Sequence, residues 1–265
     1  MNIKELKGQP LLQSPKGESW EWARMTAEDE DKIRALLASK REEACPSVAK
    51  ILYEMKELGI PAAVDTADVK NMRGELDQYR GVSKFADATG HGLEEAEKFI
   101  DGEGIARTHY YMRGLGVGEP VTERDERLMM RALQERRDRG TASLAMMLVW
   151  MKGLDLGVGV TWKDRMNLSH ALPHHREDRF GTLITCLHYH MKALGLGEPV
   201  TREDEAKMRE DLRELRGQTR KRSSTTQCLN PEYDLPKALL WVANLLPADR
   251  GGDKHELPPL RRFRR

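Results

Sequence analysis

The sequence predicts an all-α fold: an α-solenoid-like array of four helical hairpins, with a leading half-repeat and a C-terminal capping helix. Three observations predict it. One motif recurs, as MKELGIPAAVD at 55–65, MRGLGVGEPVT at 112–122, MKGLDLGVGVT at 151–161 and MKALGLGEPVT at 191–201. Helix start and stop signals flank each copy in the same order. No strand-like alternation of useful length occurs anywhere.

The elements follow in order. Thr26 opens MTAEDEDKIRALL, which matches the second half of the unit and gives a half-repeat over 26–42. Caps then fall at Asp65, Thr122, Thr161 and Thr201, spaced by 57, 39 and 40 residues, so the working period is about 39–40. The hairpins are expected near 46–81, 104–140, 141–176 and 180–217. The long first interval marks an insertion at about 82–103, where LEEAEKFI adds one short helix.

Within each unit the first helix ends at Leu-Gly (Gly59, Gly116, Gly195), because glycine takes the left-handed conformation after a helix at least cost. Asp155 replaces that glycine in the third unit, and a different exit turn is expected there. The second helix opens with a capping residue and an acid three positions on: Thr26/Asp29, Asp65/Asp68, Thr122/Asp125, Thr161/Asp164 and Thr201/Asp204. Arg80-Gly81, Arg139-Gly140 and Arg216-Gly217 close three of these helices, and Pro173 is expected to stop the one opened by Thr161.

The two helices bury different amounts. First helices carry apolar residues seven before and three after the repeated Met, namely Val48, Ile105, Leu144 and Ile184, then Leu58, Leu115, Leu154 and Leu194. Second helices carry a thin pair seven and eleven residues after the cap: Met72/Leu76, Met129/Leu133, Leu168/Leu172 and Met208/Leu212. So thin a stripe needs neighbouring units to complete its burial. After a basic linker at 218–233, Asp234 caps an apolar helix over 234–247 with Pro236 in its first turn, and 248–265 reads as a flexible basic tail.

The period and helix–turn–helix form are similar in outline to tetratricopeptide, pentatricopeptide and HEAT-type repeats. The tetratricopeptide pattern of Trp, Leu-Gly, Tyr, Ala, Phe and Pro is absent. ILYEMKELGIP resembles a pentatricopeptide second helix, but it stands here as the first helix of a longer unit.

Bulk composition narrows the function classes. The 265 residues are 33% charged and 39% apolar with a net charge of +1, which gives no global attraction to nucleic acid or membrane. Cys45, Cys186 and Cys228 are odd in number and widely spaced, as expected of reduced thiols in the cytoplasm. No signal peptide and no stretch able to span a bilayer is read. Catalysis is not expected, because no phosphate-binding glycine loop or nucleophile elbow occurs. No cofactor is expected.

No metal is expected either. Pro173 is read as separating His170 from His174, and His188 and His190 face opposite ways. His109 and His188 share one repeat position, which points to packing.

The sharpest binding signal is a ladder on the first helices. A cation follows each repeated Met (Lys56, Arg113, Lys152, Lys192), and Tyr53, Tyr110 and Tyr189 stand two residues before it, with Val149 the exception. Such pairs neighbour one another on a helix surface. They either stack a base and pair a phosphate, or pack Tyr on the next repeat beneath the Lys or Arg methylenes. Two basic clusters add phosphate-binding capacity: Arg213, Arg216, Arg220, Lys221 and Arg222, then Arg261, Arg262, Arg264 and Arg265. The expectation is a non-catalytic scaffold or adaptor holding another macromolecule, a protein in the first instance. The alternative is an RNA-binding or ribonucleoprotein-associated protein that uses the ladder and the basic C-terminus.

Overall fold

A computed structural model describes residues 23–43, 48–81, 100–139, 143–177, 181–217 and 231–245. Every regular element among them is helical: α1 (Ala27–Glu42), α2 (Val48–Glu57), α3 (Thr66–Arg80), α4 (Gly102–Leu115), α5 (Glu123–Arg139), α6 (Ser143–Gly153), α7 (Trp162–Glu177), α8 (Gly181–Ala193), α9 (Arg202–Leu215) and α10 (Pro231–Leu245). No helix among the described residues is long and apolar enough to cross a membrane. The short helix expected in the insertion, the linker, the tail, Cys45 and Cys228 lie outside the described residues.

The capping logic accounts for the outer helices. In all five, the cap side chain accepts from the amide three residues on, and the acid at that position accepts from the cap amide. Asp155 departs from expectation. It takes φ 59, beside φ 75 to 80 at Gly59, Gly116 and Gly195, and its amide bonds the Lys152 carbonyl just as the glycines bond their equivalents. The turn is therefore the same, since Asp tolerates the left-handed region better than most residues. Arg113 holds its carboxylate at 2.5 Å.

Two helix boundaries are corrected. α7 runs through Pro173 to Glu177, so proline removes one internal hydrogen bond without ending the helix. The extra turn carries Arg176 to Asp204, whose carboxylate it binds at 2.9 Å. α10 starts at Pro231, three residues before the expected cap at Asp234, and holds Pro236 in its interior.

The packing returns on itself. α2, α4, α6, α8 and α10 form an inner circle in which each touches the next and α10 touches α2. Each outer helix α3, α5, α7 and α9 lies against its own inner helix and the following one. α1 completes the set, because it packs on both α10 and α2. The half-repeat and the C-terminal helix thus form a fifth hairpin built from opposite ends of the chain. The open array with a cap at its end is replaced by a ring. A head-to-tail interface closes when its rotation per unit divides the circle, about 72° for five units.

One apolar core joins the two ends: Ile33, Leu36 and Leu37 of α1 share a cluster with Leu212 and Leu215 of α9 and Leu235 and Leu239 of α10. The expected stripe residues are buried or half-buried throughout, and Met112, Leu133 and Leu168 are fully enclosed.

Candidate functional site

The repeat register assigns each inner residue to a level of the ring. Lys56 donates to the carbonyl of Gly114, and Lys192 donates likewise to that of Asn244. The second bond aligns Val242 of α10 with the repeated Met of the other four inner helices. Contacts between equivalent residues, such as Tyr53 and Tyr110, show that neighbouring inner helices run parallel and in step.

The tyrosines of the ladder face the ring interior. Tyr53 is 8% exposed, and its hydroxyl lies 3.0 Å from that of Tyr110. The ring of Tyr53 packs on Tyr110 and Tyr111 with centroids 5.4 and 5.2 Å away. Tyr189 lies 6.1 Å from Trp241 of α10. Burial raises the hydroxyl pKa values of Tyr53, Tyr110, Tyr111 and Tyr189, so all four are neutral donors at physiological pH. Lys56 and Lys192 cap the end of the next inner helix, and Arg113 binds Asp155. Lys152 is exposed. The ladder is therefore divided between core and helix ends, and it does not present a continuous base-stacking track to solvent.

The outer helices carry a second repeated device that the sequence reading did not combine. Near the end of each, an arginine reaches the capping-box aspartate of the next: Arg41 to Asp68, Arg80 to Asp125, Arg137 to Asp164, Arg176 to Asp204, and Arg216 to Asp29. The last pair joins residues at opposite ends of the chain, at 2.7 Å. In two units a histidine adds a contact, His109 to Asp125 at 3.3 Å and His188 to Asp204 at 3.1 Å. Burial alone would raise Asp125 and Asp204, but the Arg80 and Thr122 bonds at the first, and the His188, Arg176 and Thr201 bonds at the second, outweigh it and hold both carboxyls well below the ordinary range. The histidines' shared position is thus a packing and bridging position. Arg216 is consumed in this way, whereas Arg213 is exposed. Arg220, Lys221, Arg222, Arg261, Arg262, Arg264 and Arg265 lie outside the described residues.

The inner circle surrounds an axial cavity of about 170 Å³, to which all five inner helices contribute. Its walls follow the repeat. Five residues before the Met stand Lys50, Arg107, Met146 and Lys237 on the wall, with Cys186 at the same register behind it, so three adjacent inner helices (α10, α2, α4) bring a cation to one level. One residue before the Met stand Glu54, Tyr111, Trp150, His190 and Trp241. Lys237 lies 4.3 Å from the Trp241 ring centroid, a cation–π contact.

Glu103 also lines the cavity but is held by two bonds from Arg136. Arg107 donates to Tyr79 at 2.6 Å and lies 3.8 Å from Glu75. Burial pushes Glu75 up to about 7 despite that arginine. Burial holds His190 down to about 4 and pushes the Cys186 thiol up to about 11, so neither is charged at neutral pH.

A third feature lies outside. Trp162 (71% exposed), Met166 (48%) and Met130 (41%) are the exposed large apolar residues among those described. Trp162 and Met166 share one face of α7, and Met130 sits on the adjoining α5. The sequence signal was available: these positions fall outside the thin stripe of the second helices.

Because α7 is continuous, His170 and His174 are exposed one turn apart. Among the described residues, no group of three or more His, Cys, Asp or Glu side chains is placed to hold a metal ion. No protein-family model, no curated protein and no solved structure matches this chain.

Proposed function

We propose that the chain is a non-catalytic helical-repeat scaffold that holds another macromolecule, a protein, against its outer helices in the cytoplasm. The observation that carries this reading is the exposure of Trp162 and Met166 on one face of α7, with Met130 exposed on the neighbouring α5. Exposed Trp and Met side chains on a rigid support are what a protein interface uses as anchors, because each buries a large apolar area on contact. The stitched outer ring supports the reading, since a surface that is already ordered loses little entropy on binding. The RNA alternative draws little support from the ladder, whose tyrosines are turned inward and three of whose four cations are engaged, Lys56 and Lys192 on helix-end carbonyls and Arg113 on Asp155.

The test compares affinity capture by the full chain and by its Trp162→Ala variant, each with and without nuclease. The expected result is a bound protein that Trp162→Ala loses and nuclease leaves in place, with an unchanged melting midpoint. Capture that survives Trp162→Ala and vanishes with nuclease would replace this reading with the RNA one.

A further inference from the structure

The axial cavity is independent of the outer patch and has a chemistry of its own. Its volume of about 170 Å³ is close to the roughly 150 Å³ of an engineered cavity that takes one benzene. One six-membered ring with a small substituent is therefore the size of guest it admits. Its lining is not that of an apolar void. Lys50, Arg107 and Lys237 stand at one level on three adjacent helices, and all three are half-buried, so these charges are within reach of solvent.

Among the described residues, Lys50 has Glu54 at 4.0 Å, Arg107 has Glu75 at 3.8 Å, and the lining Glu103 is bound by Arg136. Lys237, over the Trp241 ring, is the lining cation with no carboxylate beside it among those residues, which matches a monoanion better than a phosphate dianion. The parallel inner helices also direct the positive ends of their dipoles toward this half of the ring. Beyond the cations lie Trp150 and Trp241, both almost wholly buried, which offer flat apolar walls. Pockets of this kind, mostly aromatic with a few convergent charges, are those that fix small ligands.

We propose that this cavity binds a small aromatic carboxylate, its carboxylate held by Lys50 and Lys237 and its ring laid against Trp150 and Trp241. Arg107 closes the third side while it remains tethered to Tyr79.

The probe is benzoate, compared with benzyl alcohol as a neutral molecule of similar shape, using the full chain. Calorimetry should show benzoate binding, with benzyl alcohol at least tenfold weaker. Lys237→Gln should weaken benzoate at least tenfold, as expected for a lost charge-assisted contact, whereas Lys163→Gln on the outside should leave it unchanged. Nitrogen–proton spectra of the unmodified protein supply a readout that needs no variant to fold. Benzoate should move the indole signals of Trp150 and Trp241 and leave that of exposed Trp162 in place. No heat and no indole shift at about 10 mM benzoate would overturn the proposal, as would equal binding of benzyl alcohol.

Discussion

Gly153 ends α6, and a Cβ there would lie 2.4 Å from the ring of Tyr110 in the preceding unit. Gly114 stands in the same relation to Tyr53, also at 2.4 Å. The fourth unit supplies an internal comparison: where Val149 replaces the tyrosine, the next helix carries Ala193 in place of the glycine. At these three junctions a tyrosine meets no side chain and the smaller valine meets a methyl, whereas Tyr189 has Asn244 at the corresponding position. The repeated Tyr is thus a packing knob between inner helices. Gly153→Ala normally favours a helix by about 1 kcal/mol, but overpacking costs about 1–3 kcal/mol. The expected outcome is a lowered stability in urea unfolding, recovered in part when Tyr110→Val is added. A stabilised single variant would show that the Tyr–Gly fit does not govern this contact.

At the scale of the element, each outer helix start serves two purposes. Thr201 and Asp204 form the capping box of α9, and Asp204 also receives Arg176 from α7 and contacts His188 from α8. Thr201→Ala removes the cap alone and should lower stability by about 1 kcal/mol. Asp204→Ala keeps the Thr201 cap bond but removes the acceptor of the Thr201 amide and the bridge together, and it leaves Arg176 and the buried His188 without their acceptor, so it should cost about 3 kcal/mol or more. Equal effects of the two substitutions would mean that the bridge contributes nothing.

The caps themselves were legible in the sequence, because a Thr and an acid three residues apart have one local use. Their second use was not, since Arg176 lies beyond Pro173, where a local reading ends the helix. Asp155 misled in the same way. Its side chain suggested a different turn, but the surrounding hydrogen bonds impose the left-handed geometry whatever residue stands there.

At the scale of the molecule, the repeat reveals which surfaces meet but not how far each unit rotates. That rotation is set by close approaches such as Tyr53 on Gly114, which a single sequence does not display as contacts. So the hairpins and their stripes were readable, whereas closure was not, and the helix expected over 234–247 read as a cap instead of a fifth inner helix. Closure also relocates the candidate sites. The ladder tyrosines converge on an axis, the cations five residues before the Met become a cavity level, and Trp162 is left outside.

The ring is tested most directly by the distance between α1 and α9, measured with spin labels at exposed Asp31 and Arg213. Gln134 and Met166, exposed at equivalent repeat positions on α5 and α7, supply the yardstick. Closure predicts the same short, narrow distance for both pairs, that of outer helices packed as neighbours. A long or broad distance for Asp31–Arg213, several helix diameters of about 10 Å beyond the yardstick, would contradict it.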